Sequence, residues 1–281
     1  MFRNSLTLLL LLFIALPAFT QSDDKQISKI AFDMVDKNYV KAVDRAEKLQ
    51  RDSEYRKNAW VYLYLSQGYY EIARDPQYME DYSRAFKDAL KAAYKLAKYS
   101  DDSEMNLKVY ETHQDFLASL KDSAITLSEI YYDNENPRKA AYYLGRITKF
   151  DEDDYAVWLM KGVYEIHSRN IGEGVKSIKF AMENIDESYV PDPVSAQTLV
   201  DALEEYALII KAGEYTKYFD AYKFEVNESQ VPELLAMKED FKKYIPGKVV
   251  DVKERKEDSK VIYKSFKSED KDDNVEEDSD E

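Results

Sequence analysis

The chain contains no cysteine among its 281 residues, and this absence excludes several kinds of site. Disulfides, thiolate metal centres, haem attachment through a CxxC motif and a lipid anchor on a processed N-terminal cysteine all require that side chain. A protein of this length without disulfides must be stabilised by burial of a hydrophobic core. We therefore expect ordinary side-chain packing to hold the fold together.

Glycine and proline are scarce, at seven residues each, and histidine occurs only twice. A β-sandwich needs frequent tight turns and a phosphate-binding loop needs clustered glycines, so neither is expected. The sequence contains no HExxH motif and no Gly-rich phosphate loop. We predict no catalytic residue, no metal site and no cofactor.

Basic residues are outnumbered by acidic ones, and the formal net charge is -15. A nucleic-acid partner needs a basic face to meet its phosphates, so we expect no nucleic-acid binding. Residues 269–281 hold nine carboxylates against one lysine. We predict that 246–281 is a charged, mostly disordered tail, with one β-like stretch at 261–266.

Long apolar runs are confined to the N-terminus. Arg3 precedes an uninterrupted apolar stretch, residues 8–16, which Pro17 ends and small residues follow. This layout is typical of a secretory signal peptide over residues 1–20, with cleavage after Thr20. A retained membrane anchor is the alternative. With no second stretch of spanning length, we expect an exported protein, periplasmic or secreted, without an integral membrane span after cleavage.

The rest of the chain shows apolar residues at the three- and four-residue spacing of helices, with no strand signal between them. The stripes fall into five pairs separated by short polar joints, which predicts adjacent antiparallel helices. The pairs span 27–35 with 39–49, 60–73 with 82–97, 124–132 with 137–147, 155–167 with 171–182, and 194–212 with 215–224. A further helix is predicted over 103–120 and another over 232–244.

Small residues recur where the paired helices should cross. The third pair has Ala124, Leu127, Ser128, Tyr131, Asn136-Pro137, Ala140, Leu144 and Ile147. The fourth has Trp158, Gly162, Asn170-Ile171, Gly174 and Ala181, and Gly162 lies 34 positions after Ser128. This pattern resembles the tetratricopeptide repeat (TPR), a 34-residue helix–turn–helix. The first pair also fits, whereas the second and fifth are looser, with Gly68 and Tyr206 at the small position.

The resemblance implies an exported bacterial TPR-like protein. Its fold would be all-α, a right-handed α-solenoid of about five hairpins over residues 21–245. The helix over 103–120 would be inserted beside the second hairpin, and the helix over 232–244 would cap the stack. An irregular helical bundle is the alternative.

In TPR proteins the first helix of each hairpin lines a concave groove that binds an extended peptide or a partner helix. By register, the resemblance places a largely apolar and aromatic set there, which favours an apolar partner over an acidic C-terminus. The set is Tyr62, Leu65, Tyr69, Ile72, Ile125, Glu129, Tyr132, Leu159, Val163, Ile166 and His167, with Val200, Leu203, Ala207 and Lys211 from the fifth hairpin. Coverage of the same residues by the inserted helix or the next hairpin is the alternative.

Three functions are compatible with these features. The leading one is a non-catalytic scaffold of the cell envelope or exterior that binds another protein. The alternative is a receptor that holds a small ligand or glycan in the aromatic groove. An enzyme would have only Glu165 and His167 as conspicuous candidates. The carboxylates Asp151 to Asp154 could ligate calcium, but capping of the following helix is the simpler interpretation.

Overall fold

The computed structural model describes residues 24–186, 188–246 and 259–264, and its regular elements there are all helical. The predicted signal peptide and most of the acidic tail lie outside these ranges. The described residues before 246 form twelve α-helices: α1 (Lys25–Val35), α2 (Tyr39–Gln50), α3 (Ala59–Arg74), α4 (Ala85–Lys98), α5 (Glu104–Thr112), α6 (Gln114–Asp133), α7 (Pro137–Ile147), α8 (Tyr155–His167), α9 (Ile171–Asn184), α10 (Ala196–Ala212), α11 (Thr216–Ala221) and α12 (Val231–Phe241). Across the described ranges, no helix combines the length and apolar character that a membrane crossing demands.

The all-α prediction is confirmed, and helices that are neighbours in sequence are also neighbours in space. Packed pairs are α1 with α2, α3 with α4, α6 with α7, and α8 with α9. Successive pairs also touch, because α2 packs on α3, α4 and α8 both pack on α7, and α10 packs on α8. The apolar faces of the pairs thereby join in one continuous core.

Small residues lie where the paired helices approach most closely. A Cβ on Gly162 would stand 2.8 Å from the carbonyl oxygen of Gly174, and one on Gly174 would stand 2.7 Å from that of Gly162. The backbones of α8 and α9 therefore touch. In the third pair, Ser128 donates a 2.8 Å hydrogen bond from Oγ to the Ala140 carbonyl. Glycine and serine are needed here because larger side chains would separate the axes.

The second pair differs from its predicted register by two residues. Ser66 is fully buried and donates to the Ala89 carbonyl of α4 at 2.8 Å, as Ser128 does in the third pair. Gly68 instead faces α2, where an added Cβ would meet Val43 at 2.6 Å. The prediction that Gly68 occupies the small crossing position of its own pair is therefore wrong.

Three of the joints share one backbone geometry. Lys37, Glu135 and Arg169 have positive φ angles of 58°, 60° and 67°. In each case the amide of the following asparagine donates to a carbonyl five residues earlier, as in the Schellman motif that ends helices. The asparagines are Asn38, Asn136 and Asn170. The first, third and fourth pairs therefore turn in the same way.

The inserted helix is shorter than the predicted 103–120. It ends at Thr112, and residues 114–120 form the first turns of the 20-residue helix α6. As predicted, the insertion packs beside the second pair, against α3 and α4. Its buried Asn106 accepts from the Ala59 amide and donates to the carbonyls of Lys57 and Tyr99. One side chain thus ties α5 to the start of α3 and the end of α4.

The C-terminal part also departs from prediction. The second helix of the fifth pair, α11, has only six residues, and α12 packs along α10 through buried Leu234 and Phe241. The tail was predicted to be disordered and β-like at 261–266, yet residues 259–264 form a helical turn with Ile262 fully buried. The β-branched residues there raise strand propensity, but packing against the core overrides it.

Candidate functional site

The predicted groove set divides into core residues and surface residues. Seven of the eleven side chains are buried: Tyr62, Leu65, Ile72, Ile125, Leu159, Val163 and Ile166. Val200, Leu203 and Ala207 of the fifth pair are buried too, and Lys211 is exposed. Tyr69, Glu129, Tyr132 and His167 keep partial exposure. A docked partner would therefore meet polar and aromatic groups where an apolar surface is expected from sequence.

The members of the set on α3 do not lie with the others. Tyr62, Leu65 and Tyr69 line a cleft of about 280 Å³ with residues of α2 and α4, the second helices of their pairs. The Tyr69 hydroxyl donates to Glu47 of α2. The two-residue shift in the crossing position explains this, because it rotates the whole set by about 200° around α3.

The first helices of the third and fourth pairs instead meet through a stack of rings. Tyr132 of α6 lies over Tyr164 of α8, with centroids 4.3 Å apart and planes at 17°. It also stacks on His167 at 5.7 Å, and its hydroxyl oxygen lies 2.8 Å from His167 Nδ1. Tyr164 and His167 are three residues apart and so share one face of α8.

Carboxylates from two helices surround this stack. Glu129 and Asp133 of α6, and Asp201 and Glu205 of α10, all interact electrostatically with one or more of its rings. Together, Tyr132, Tyr164, His167 and these four carboxylates form what we call the acidic aromatic face. The sequence pattern identified Glu129, Tyr132 and His167 and missed the other four. Two of these, Asp201 and Glu205, belong to α10, whose contribution depends on tertiary packing.

The electrostatic environment fixes the protonation of the stack. Burial raises the pKa of Tyr132, and the charges of Glu205 and Asp133 raise it further. Burial lowers the pKa of His167 below its ordinary value of 6.5, against the opposing effect of Glu205. Both shifts favour the uncharged form, so Tyr132 and His167 are neutral at neutral pH.

The candidate catalytic pair Glu165 and His167 does not come together. Positions two residues apart project on opposite sides of a helix. Glu165 is buried against α9, where it accepts from Ser177 at 2.7 Å and pairs with Lys161 at 2.7 Å. His113, the other histidine, donates from Nδ1 to the Val109 carbonyl and packs edge-on against Trp60.

The acidic run before α8, residues 151–154, contributes to a second charged cluster. Lys121 of α6 is 2% exposed, and its Nζ lies 2.7 Å from Asp151, 2.9 Å from Asp154 and 3.1 Å from Asp192. Burial alone would lower the pKa of Lys121, but Asp154 and Asp151 outweigh that effect and raise it. Asp154 also accepts from the Val157 amide, which caps α8 as the simpler interpretation predicts.

The Lys121 cluster borders a cleft of about 300 Å³ between α5, α6 and the segment before α10. Its apolar lining includes Tyr110, Leu117 and Phe150. No group of three or more potential metal ligands occurs within the described ranges. The ion pairs of the cluster join α6 to the α7–α8 joint and to the segment preceding α10.

Comparison with models of protein families, with curated proteins and with solved structures finds no match to this chain.

Proposed function

We propose that this protein is a non-catalytic interaction scaffold that binds a basic peptide or helix of another protein on the acidic aromatic face. Its body is a right-handed α-solenoid of about five TPR-like hairpins. The N-terminal sequence directs its export, so that it acts in the periplasm or outside the cell. This proposal keeps the scaffold function expected from sequence but changes the chemistry of the partner.

The observation that carries the proposal is the partly exposed Tyr132–His167 stack among four carboxylates. Aromatic rings supply contact area at low conformational cost, and partner cations are attracted to both ring faces and carboxylates. Positive charge on the partner would also speed association with a chain whose net charge is -15. The three contributing helices are all first helices of their pairs, as in TPR grooves.

A quantitative pull-down from cell-envelope extract tests this function. The full chain is compared with the double variant Glu129→Lys/Glu205→Lys, which reverses charge on both sides of the stack. We expect one or more proteins that the wild-type chain retains and the variant loses. A matched control is Glu54→Lys/Glu80→Lys, which makes the same change in net charge at exposed positions of the first two pairs. Equal recovery by all three chains would contradict the proposal.

The cleft between α2, α3 and α4 supports a second candidate, the binding of a small ligand or glycan. The partly exposed Tyr69 offers a ring there, beside Asp88, Lys91 and Lys95. Sugars stack on aromatic faces and need nearby polar groups for orientation. A thermal-shift screen of glycans on the full chain and on Tyr69→Ala tests it, since a specific ligand would raise only the wild-type melting temperature.

A further inference from the structure

The structure describes a C-terminal helical segment, residues 259–264. The described chain stops at residue 246 and resumes at 259. The intervening sequence is rich in charge, with Lys253-Glu254-Arg255-Lys256-Glu257-Asp258 directly before the segment. The segment itself carries the apolar run Val261-Ile262-Tyr263. A short apolar run within a charged sequence can anchor that sequence to an apolar groove.

The segment is seated on the folded body by one helical face. Ile262 is 0% exposed and Ser259, one turn earlier, is 1% exposed. Lys260 and Lys264 remain exposed. The Tyr263 ring meets Tyr131 of α6 edge-on, with centroids 5.0 Å apart.

The receiving surface is an aromatic cluster shared by two helix pairs. Tyr131 stacks on Tyr143 of α7 at 5.5 Å and 11°, and Tyr143 in turn meets Phe86 of α4 at 6.2 Å. Tyr142 adds an edge contact to Tyr143. We call this cluster of four rings the Tyr131 surface. It differs from the acidic aromatic face, because Tyr131 packs towards α7 while its neighbour Tyr132 packs towards α8.

A helix of six residues does not form by itself in water, since nucleation costs more than so few hydrogen bonds return. Burial of Ile262 and Ser259 against the body therefore supports the helical form of these six residues. Ordering six residues opposes docking by at least as much as the burial of two apolar side chains favours it. A free peptide would bind weakly under these conditions, but a tether holds the segment at roughly millimolar effective concentration.

We propose that residues 259–264 are a tethered ligand that reversibly occupies a helix-docking site, the Tyr131 surface, within the same chain. Ile262 and Tyr263 are the anchors, and the charged sequence before them is the tether. The surface recognises a short helix that presents an aliphatic and an aromatic side chain together. The tail thereby controls access to a second docking site. This proposal does not depend on the function proposed for the acidic aromatic face.

The absence of cysteine makes a direct test possible in the full chain. Ile262→Cys places one thiol at the buried anchor, and Lys264→Cys places one on the exposed side of the same segment. We expect N-ethylmaleimide to modify the cysteine at position 262 roughly tenfold more slowly than the one at 264, a ratio that corresponds to about 1.4 kcal/mol of protection. Adding Tyr263→Ala to Ile262→Cys should abolish the protection without changing the melting temperature of the body.

Exchange is tested with a synthetic peptide of residues 256–267. At millimolar concentration it should accelerate modification at position 262, because it competes for the Tyr131 surface. Protection should not change on dilution of the protein, since the site is occupied within one chain. Loss of protection on dilution would assign the segment to a second copy and overturn the proposal. The proposal would also be overturned if the peptide did not reduce the protection at position 262 and only denaturant removed it.

The Ile262→Cys change could itself weaken docking of the segment. Amide hydrogen exchange of the unaltered chain is therefore the control. We expect measurable protection of the amides of 259–264, and its loss in Tyr263→Ala. Equal thiol reactivity at 262 and 264, combined with unprotected amides in the unaltered chain, would show that the segment is not docked.

Discussion

Lys121 and Glu165 carry charge into the core at points where helices meet. Each has its counter-charges within about 3 Å, so the cost of leaving water is offset by ion pairs and hydrogen bonds. Buried ion pairs of this kind add less net stability than their geometry implies. The ion pairs instead favour one arrangement of the helices, because removal of one partner would leave an uncompensated charge in the core.

The Lys121 cluster predicts a large effect of a single substitution. Lys121→Met should lower the free energy of unfolding by about 3–5 kcal/mol, because three carboxylates lose their shared cation. Urea unfolding followed by circular dichroism measures this. Lys176→Met, which removes a lysine from an exposed pair with Glu173, should leave the midpoint nearly unchanged.

The pH dependence of the Lys121→Met variant follows from the same carboxylates. Burial already raises the pKa of Asp151, and loss of Lys121 removes the main opposing charge. A carboxyl with a raised pKa in the folded state takes up its proton more readily than in the unfolded chain, so falling pH stabilises the fold. The variant should therefore recover stability relative to wild type as pH falls from neutrality towards that raised pKa. A difference that stays constant as pH falls would contradict this account.

The lowered pKa of His167 gives a prediction for the pH dependence of stability. Its folded pKa is below 6.5, so the unfolded chain binds more protons between the two values and stability falls as pH falls through that window. Histidine NMR titration should find a pKa below 6.5 for His167. Tyr132→Phe should raise that pKa, because the phenol no longer donates to Nδ1 of the neutral ring. A pKa at or above 6.5 in the wild-type protein would refute the burial argument.

Individual helices are held at set distances by the size of their crossing residues. Gly162 and Gly174 allow backbone contact, Ser66 and Ser128 allow a hydrogen-bonded approach, and Asn106 fixes an inserted helix by three hydrogen bonds. In each case a small or polar side chain determines where two elements meet. The apolar stripes decide only which faces meet.

Two glycine substitutions with opposite expected signs test this statement. Gly162→Ala should destabilise the fold by about 1–3 kcal/mol, because its Cβ would lie within 2.9 Å of backbone atoms of α9. Gly145→Ala in α7 should stabilise by up to about 1 kcal/mol, because its Cβ would meet only the flexible end of Lys161 while the gain in helix propensity remains. The urea unfolding midpoints of both variants measure these effects. Equal shifts would contradict the claim that Gly162 is needed at the helix crossing.

The elements were predictable from sequence to the extent that local periodicity determines them. The paired helices begin and end close to the predicted positions, because their apolar stripes and polar joints are strong local signals. The register of α3 was not predictable in this way. Ser66 and Gly68 are both small, and only the contact with Ala89 shows which of them meets α4. The left-handed residues Lys37, Glu135 and Arg169 gave no signal of their own, although an asparagine follows each.

The site was less predictable than the fold. Tyr132 and His167 were identified through the repeat pattern, but Asp201 and Glu205 belong to a helix 30 residues or more from His167 and enter only through packing. Ten of the fifteen predicted groove residues proved to be buried, since a stripe that faces a groove and one that faces the next helix have the same periodicity. For this reason the exposed surface is acidic where the sequence pattern predicts an apolar groove.

For the whole molecule, consecutive helix pairs bury their apolar faces against each other and leave polar and aromatic side chains at the surface. On α6, α8 and α10 these side chains form the acidic aromatic face. Its four carboxylates belong to an excess of acidic groups that gives the chain a net charge of -15. We expect the partner to be recognised by positive charge combined with contact area for the rings, and its binding to weaken as salt is added.

Selection of random displayed peptides on the full chain, followed by fluorescence anisotropy, tests this binding proposal most directly. We expect the selected peptides to be rich in lysine and arginine. We also expect Tyr132→Ala, and separately Glu129→Lys/Glu205→Lys, to raise their Kd by at least about tenfold, as loss of a central contact does. Selected peptides that lack positive charge, or that bind both variants as tightly as the wild-type chain, would contradict the proposal that this face is the binding site.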